Sequence, residues 1–179
     1  MEQLKLDIAF KLWWDLIRDL KARGASVRES GAFLLGPLIE REITHYICYD
    51  DLDPHALDSG IIVFDSSGFT QLWKYCKENK LKVYADIHTH PDSWTGQSGV
   101  DKDNPMIVQA GHVALIAPHY AQTDLMSLEG VGAYEYLGSK KWRTFATAAT
   151  VINIKNTKHG IFRRYLQQII NCFNRKKRM

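Results

Sequence analysis

Two histidines separated by one residue, His88 and His90, are followed after a short polar stretch by Ser98 and Asp101, in the run HTHPDSWTGQSGVD. In an extended chain, side chains two apart point to the same side, roughly 6.5–7 Å apart at their backbones. His88 and His90 can therefore lean together onto one ion. Zinc takes imidazole nitrogens at ~2.0–2.1 Å and a carboxylate oxygen at a similar distance. Asp101 lies three residues beyond Ser98, so the two can project from one face of a helix start. If the loop folds back, Asp101 becomes a third ligand and Ser98 a neighbouring hydroxyl donor. Three protein ligands leave a fourth position for water, the mark of a catalytic rather than a structural zinc site. Taken singly, the pieces are ordinary: His-x-His is common at strand ends, and Ser98-x-x-Asp101 resembles a helix capping arrangement. Their conjunction should arise by chance in a chain of this composition on the order of once in a thousand.

Such a set needs elements to hold it. LKVYADIH (81–88) is predicted as a strand, with Val83, Ala85 and Ile87 facing one way, and it delivers the histidines at its end. A polar loop over 91–100 and a helical stretch from 98 to 109 carry Ser98 and Asp101. HVALIAP (112–118) has the continuous apolar character of a central strand. Residues 131–137 and 141–145 form a hairpin around Gly138-Ser139. Upstream, residues 8–23 place Ile8, Leu12, Trp13, Leu16, Ile17 and Leu20 at helical spacing, with Gly24 as the stop. ESGAFLLG (29–36), EITHYICY (42–49) and GIIVFD (60–65) read as strands, and 50–60 as an acidic loop. Ser66 or Ser67 caps a helix with Phe69, Leu72, Trp73 and Cys76 on one face. The order of elements gives an α/β (α+β) fold, a mixed β-sheet flanked by helices.

The pattern His-x-His-x7-Ser-x-x-Asp resembles the signature of the JAMM (MPN-plus) zinc peptidases, with all spacings met. That family also has an upstream Glu at a strand start, followed by glycine and an apolar run ending in glycine, to which Glu29-Ser30-Gly31-Ala32-Phe33-Leu34-Leu35-Gly36 is similar. The resemblance spans roughly residues 5–145. It implies a single MPN/JAMM (cytidine-deaminase-like) domain and one Zn2+ per chain, held by His88, His90 and Asp101. It further implies Glu29 as general base and Ser98 as a helper of the oxyanion. Glu40 and Glu42 compete for the base role on residue type alone, but they sit at or after a turn. The chemistry requires these types: zinc lowers the pKa of a water from 15.7 to about 7, a carboxylate takes the proton and returns it to the leaving amine, and a hydroxyl shares the developing charge. Asp86 and Thr89 are candidates for orienting the histidines. His45, His55, His112, His119 and His159 have no partner at metal spacing and read as structural or surface; Cys48 and Cys76 read as core.

The chain has 179 residues, 45% hydrophobic and 24% charged, with a net charge of +3. That supports an ordinary core and excludes a disordered chain. Three scattered cysteines exclude a disulfide scaffold and a cysteine-built zinc site. The absence of a long apolar run or a signal peptide predicts a cytoplasmic protein without a transmembrane segment. Residues 151–179 carry eight Lys/Arg and no acid, so the body is acidic and the tail basic. We expect residues 1–150 to form the metalloprotease domain and 151–179 a C-terminal amphipathic helix with a basic tail. One basic cluster without interleaved aromatics does not make a nucleic-acid module. A zinc deaminase is disfavoured, since Pro-Cys-x-x-Cys and His-x-Glu are both missing.

The local wording is most similar to stand-alone bacterial members of the family, found with ubiquitin-like, E1-like and E2-like proteins, including antiphage conjugation systems of the Bil type. That resemblance implies an isopeptidase or peptidase cutting after the C-terminal glycine of a ubiquitin-like modifier, to release targets or mature a precursor. Such a tail is extended and suits strand addition at a sheet edge. The acidic loop Asp50, Asp51, Asp53, Asp58 could meet a basic residue near it, although a solvated loop is the plainer reading. The alternatives are a JAMM peptidase acting on a sulfur-carrier-type protein and a non-catalytic scaffold of the same fold.

Overall fold

The computed structural model describes residues 5–155. The C-terminal amphipathic stretch and its basic end lie outside them. Nine strands and four α-helices follow in the order β1 (Leu6–Ala9), α1 (Phe10–Gly24), β2 (Gly31–Pro37), β3 (Glu42–Ile43), β4 (His45–Cys48), α2 (Tyr49–Leu52), α3 (Ser66–Asn79), β5 (Leu81–Thr89), α4 (Gly99–Asp103), β6 (Val113–Ala117), β7 (Gly132–Gly138), β8 (Lys141–Thr144) and β9 (Ile152–Lys155). Six of the strands make one mixed sheet in the order β4-β2-β5-β6-β7-β8. A smaller parallel sheet runs β3-β1-β9. The fold is α/β, a mixed sheet flanked by helices, as the order of elements predicted.

β2 reads as an unbroken apolar run because both of its faces are covered. Ala32 and Leu34 pack toward α1, among Leu12, Trp13, Leu16 and Leu20. Phe33 and Leu35 pack the other way, against Tyr49, Leu52 and Leu72. Each large side chain buried in this manner contributes about 1.5–3 kcal/mol. The helix α3 is capped by Asp65, whose carboxylate accepts the Gly68 N–H, and not by Ser66 or Ser67. Its Leu72 and Cys76 are buried, whereas Trp73 points outward and is 48% exposed.

Four expectations are corrected. Residues 60–65 form no strand, and Ile61 and Val63 are exposed. The expected strand over 42–49 is broken at Thr44, whose N–H is taken by the Leu35 carbonyl. The helix expected over 98–109 stops at Asp103, since Pro105 drives Asn104 out of the helical region. In β5 the register with β2 slips between Leu34 and Leu35, which pair with Ala85 and Val83. Val83 therefore packs with the Phe33 cluster while Ala85 and Ile87 pack with the α1 cluster. That slip decides which face of the sheet Asp86 and His88 share.

β5 and β6 are the only parallel pair in the large sheet. Parallel neighbours cannot be joined by a tight turn and need a crossover. The chain from His90 to His112 is that crossover, and it carries Ser98 and Asp101 over the carboxyl ends of the two central strands.

Candidate metal centre

His88 is held on both sides, opposite Gly31 of β2 and Ile116 of β6. His90 continues the line: its N–H donates to the Ala117 carbonyl at 2.8 Å, and its own carbonyl accepts the Tyr120 N–H at 2.8 Å. His90 Nδ1 lies 3.1 Å from the Trp94 carbonyl, and the Trp94 ring stacks on the imidazole at 5.6 Å between centroids. A carbonyl accepts only, so Nδ1 carries the hydrogen and Nε2 is free to act as a ligand.

The loop from Pro91 to Gln97 is fastened to the sheet. Tyr134 donates its O–H to the Thr95 carbonyl at 2.7 Å. A side chain at Gly132 would come within 2.3 Å of that same carbonyl. Turning back from the loop, Ser98 caps α4 in a full capping box: Ser98 Oγ accepts the Asp101 N–H at 3.2 Å, and the Ser98 N–H donates to Asp101 Oδ2 at 2.6 Å. The capping reading of Ser98-x-x-Asp101 and its placement beside the histidines are thus one arrangement. Outward, the Trp142 indole N–H donates to the Lys102 carbonyl at 3.2 Å, tying α4 to the β7–β8 hairpin.

The result is a convergent donor set. His88 Nε2 and His90 Nε2 are 3.2 Å apart; His88 Nε2 lies 3.5 Å from Asp101 Oδ1, and His90 Nε2 lies 3.5 Å from Asp101 Oδ2. Among the described residues this is the one group of three His, Cys, Asp or Glu whose ligand atoms all lie within 4.8 Å of one another. Four ligands placed tetrahedrally at ~2.0–2.1 Å from a common centre lie roughly 3.3–3.4 Å from each other. The observed separations are close to that spacing, so these residues could hold a tetrahedral cation.

The electrostatics follow from the packing. Burial works to raise the Asp101 carboxyl, but the hydrogen bond to His90, the nearby His88 and the Ser98 donors outweigh it and hold the group well below the usual carboxylate range. Burial pushes His88 down, opposed by Asp101 and Asp86. Burial also works to lower His90, but Asp101 and the Trp94 carbonyl more than offset it and raise the group.

Glu29 stands just before β2, half-buried, its N–H donating to the Gly60 carbonyl at 2.9 Å. Its neighbour Ser30 is locked in place: Ser30 Oγ donates to the Leu20 carbonyl of α1 at 2.8 Å, and the Ser30 N–H donates to Thr89 Oγ1 at 3.0 Å. Burial raises the Glu29 carboxyl, with His90 and a backbone hydrogen bond from Ile62 opposing the rise and Asp101 adding to it. Glu40 and Glu42 lie past the opposite end of β2.

Sequence reasoning assigned Thr89 and Asp86 to the histidines. Instead, Thr89 holds Ser30, and Asp86 accepts from Tyr49 and His112. The acidic loop is also not simply solvated: Asp50 and Asp51 pair with Arg23, and buried Asp53 accepts the N–H groups of His55 and Asp65. What sequence reasoning missed is the Trp94 carbonyl, a backbone group that no residue pattern announces.

No protein-family model matches the chain. Among solved structures, it is similar to protein DSY2949 from Desulfitobacterium hafniense, with 14% identity and a TM-score of 0.53, over 86% of this chain and 99% of that one. It also aligns with AF2198, a JAB1/MPN domain protein from Archaeoglobus fulgidus, with 14% identity and a TM-score of 0.47, over 86% and 98% of the two chains. At such identities the first likeness is one of fold alone. Among the described residues, no helix is long and apolar enough to cross a membrane.

Proposed function

We propose that this protein is a zinc-dependent peptidase or isopeptidase of the JAMM type, cleaving after the C-terminal glycine of a ubiquitin-like modifier in a bacterial conjugation or antiphage system. The observation that carries the reading is the meeting of His88, His90 and Asp101 at separations close to those of a tetrahedral site. A zinc ion held there would supply a Lewis acid and a water acidic enough to ionise near neutrality. The chain's own groups divide the remaining work. Glu29, with a carboxyl raised by burial, accepts a proton and later hands it to the leaving amine. Ser98, fixed at the start of α4, offers its hydroxyl to the oxygen on which charge develops, a contribution typically worth ~3–4 kcal/mol. His90 keeps its orientation through the Trp94 carbonyl. A scaffold would gain nothing from three donors brought to this spacing in a half-buried site.

The test runs zinc-loaded protein beside its Glu29→Gln variant on a ubiquitin-like protein fused through its C-terminal glycine to a reporter. We expect one zinc per chain in both proteins and cleavage at the glycine by the wild type alone. A fully active Glu29→Gln protein would remove the base assignment. Zinc at one per chain without cleavage by either would turn the search to a sulfur-carrier-type substrate. Absence of zinc would favour the scaffold.

A further inference from the structure

Beneath His88 lies a second buried polar group that the chemistry above leaves unused. Asp86 precedes His88 by two residues on β5, so the two side chains share a face, and Asp86 is 2% exposed. Each of its oxygens has a donor of its own. The Tyr49 O–H donates to Oδ2 at 3.1 Å, and His112 Nε2 meets Oδ1 at 2.5 Å. Tyr49 is buried completely, and its ring lies against Gly31, where a Cβ would come within 2.3 Å of it. Gly31 in turn is the β2 partner of His88. The ring, the carboxylate and the ligand imidazole thus occupy one layer under the metal centre.

Stability does not explain such a group. A buried carboxylate is costly even when hydrogen-bonded, and replacing buried polar networks by apolar side chains is often neutral or stabilising. Here α2 and the residue just before β6 each give up a side chain, Tyr49 and His112, to hold one carboxylate of β5 in place. The hydrogen bonds of Asp86 go to Tyr49 and His112, and none joins it to His88 among the described residues. What remains is its charge, fixed in position on the same sheet face as a cation ligand, where it acts on His88 through a low-dielectric interior.

We propose that Asp86 is a positioning residue of the metal centre: its carboxylate, immobilised by Tyr49 and His112, strengthens the hold of His88, His90 and Asp101 on a divalent cation. The inference rests on the metal-site reading above and deepens it.

Full-length wild type, Asp86→Asn and Tyr49→Phe are each titrated with Co2+ and Zn2+ against a chromophoric chelator. The visible spectrum of each cobalt form and the Tm of each metal-free form are recorded alongside. Asp86→Asn is expected to bind both ions about tenfold or more weakly, the scale seen when groups supporting metal ligands are removed, and to shift the cobalt bands. Tyr49→Phe keeps the charge and loses one anchor, so it should weaken binding in the same direction by less, again with a spectral shift. Wild-type affinity and spectrum in both variants, whatever their Tm, would overturn the proposal and leave the network as core structure. If Asp86→Asn does not fold, the Tyr49→Phe spectrum decides alone. A wild type that binds neither ion takes down the metal-site reading itself, and this inference with it.

Discussion

In the proposed metal centre, His90 is the residue on which proton and cation would compete. Its imidazole is raised above the ordinary value of 6.5, chiefly by Asp101 and the Trp94 carbonyl acting against burial, while burial pushes His88 the other way. Asp101 stays charged far into acid. A ligand must shed its proton before it binds a cation. Metal affinity is therefore full above the His90 pKa and falls as pH drops through it, beginning above 6.5, with one proton taken up per metal released. His88 adds a second proton only at lower pH. By the same sign, the His90–Asp101 contact stabilises the metal-free fold below the unfolded imidazole value and fades as pH rises through the raised one. Chelator competition from about pH 8.5 to 5.5 reads the slope, and an affinity that stays flat across that range would sink the assignment. Ser98 carries a separate prediction. Ser98→Ala removes an N-cap, which costs about 1 kcal/mol of stability, and it loosens the Asp101 carboxylate, so zinc content should fall as well. Ser98→Thr retains the oxygen and should keep both. Unchanged zinc affinity in Ser98→Ala would mean that the cap does not position Asp101.

At the level of elements, the decisive contact is that of β2 with β5. A methyl group at Gly31 would lie 2.3 Å from the Tyr49 ring and 2.8 Å from the Ile87 carbonyl. Neither neighbour can yield freely, since the ring is fully buried and the carbonyl belongs to the strand that presents His88. Gly31→Ala should cost roughly 1–3 kcal/mol, the usual scale of overpacking, and it should lower zinc content by displacing His88. Gly99→Ala is the matched control: nothing lies within 4 Å of its Cβ at the start of α4, and alanine is the better helix former by up to about 1 kcal/mol. Equal stability of the two variants, read by chemical denaturation, would refute the close-packing argument. The same elements show what the sequence made legible. α1, α3, β6 and the β7–β8 hairpin announce themselves through period and length. GIIVFD has the composition of a strand, but whether a neighbouring edge is free to pair with it is a tertiary fact, and Ile61 and Val63 remain exposed. The register slip in β5 leaves no local mark either, although it decides which face receives His88. Pro105 did carry the signal that ends α4 early.

Across the whole molecule, legibility follows sequence separation. His88, His90, Ser98 and Asp101 lie within one crossover, so their spacing alone exposes them. Tyr49, Asp86 and His112 come from three distant segments and meet only because the sheet order brings β5 beside β2 and β6. β1 and β9 are the extreme case, pairing in parallel with Leu6 opposite Ile152 and Ile8 opposite Ile154. Leu6, Ile8 and Ile152 are each 1% exposed, and the Lys155 ammonium lies 2.5 Å from Asp7. β1 runs directly into α1, and α1 holds Ser30 through the Leu20 carbonyl, so the small sheet braces the backbone that presents Glu29. Ending the chain after Thr150 removes two buried side chains, Val151 and Ile152, each worth about 1.5–3 kcal/mol, together with the hydrogen bonds of a whole strand. Compared with a chain ended after Lys155, it should unfold roughly 10–20 °C lower. The candidate metal ligands stand on β5, just beyond its end and on α4, away from the small sheet, so zinc content at low temperature should survive. The proposed cleavage through Glu29 should not, because α1 is free to shift. Loss of zinc together with activity would place the small sheet under the ligands as well; retention of full activity would show that Ser30 is held by Thr89 alone.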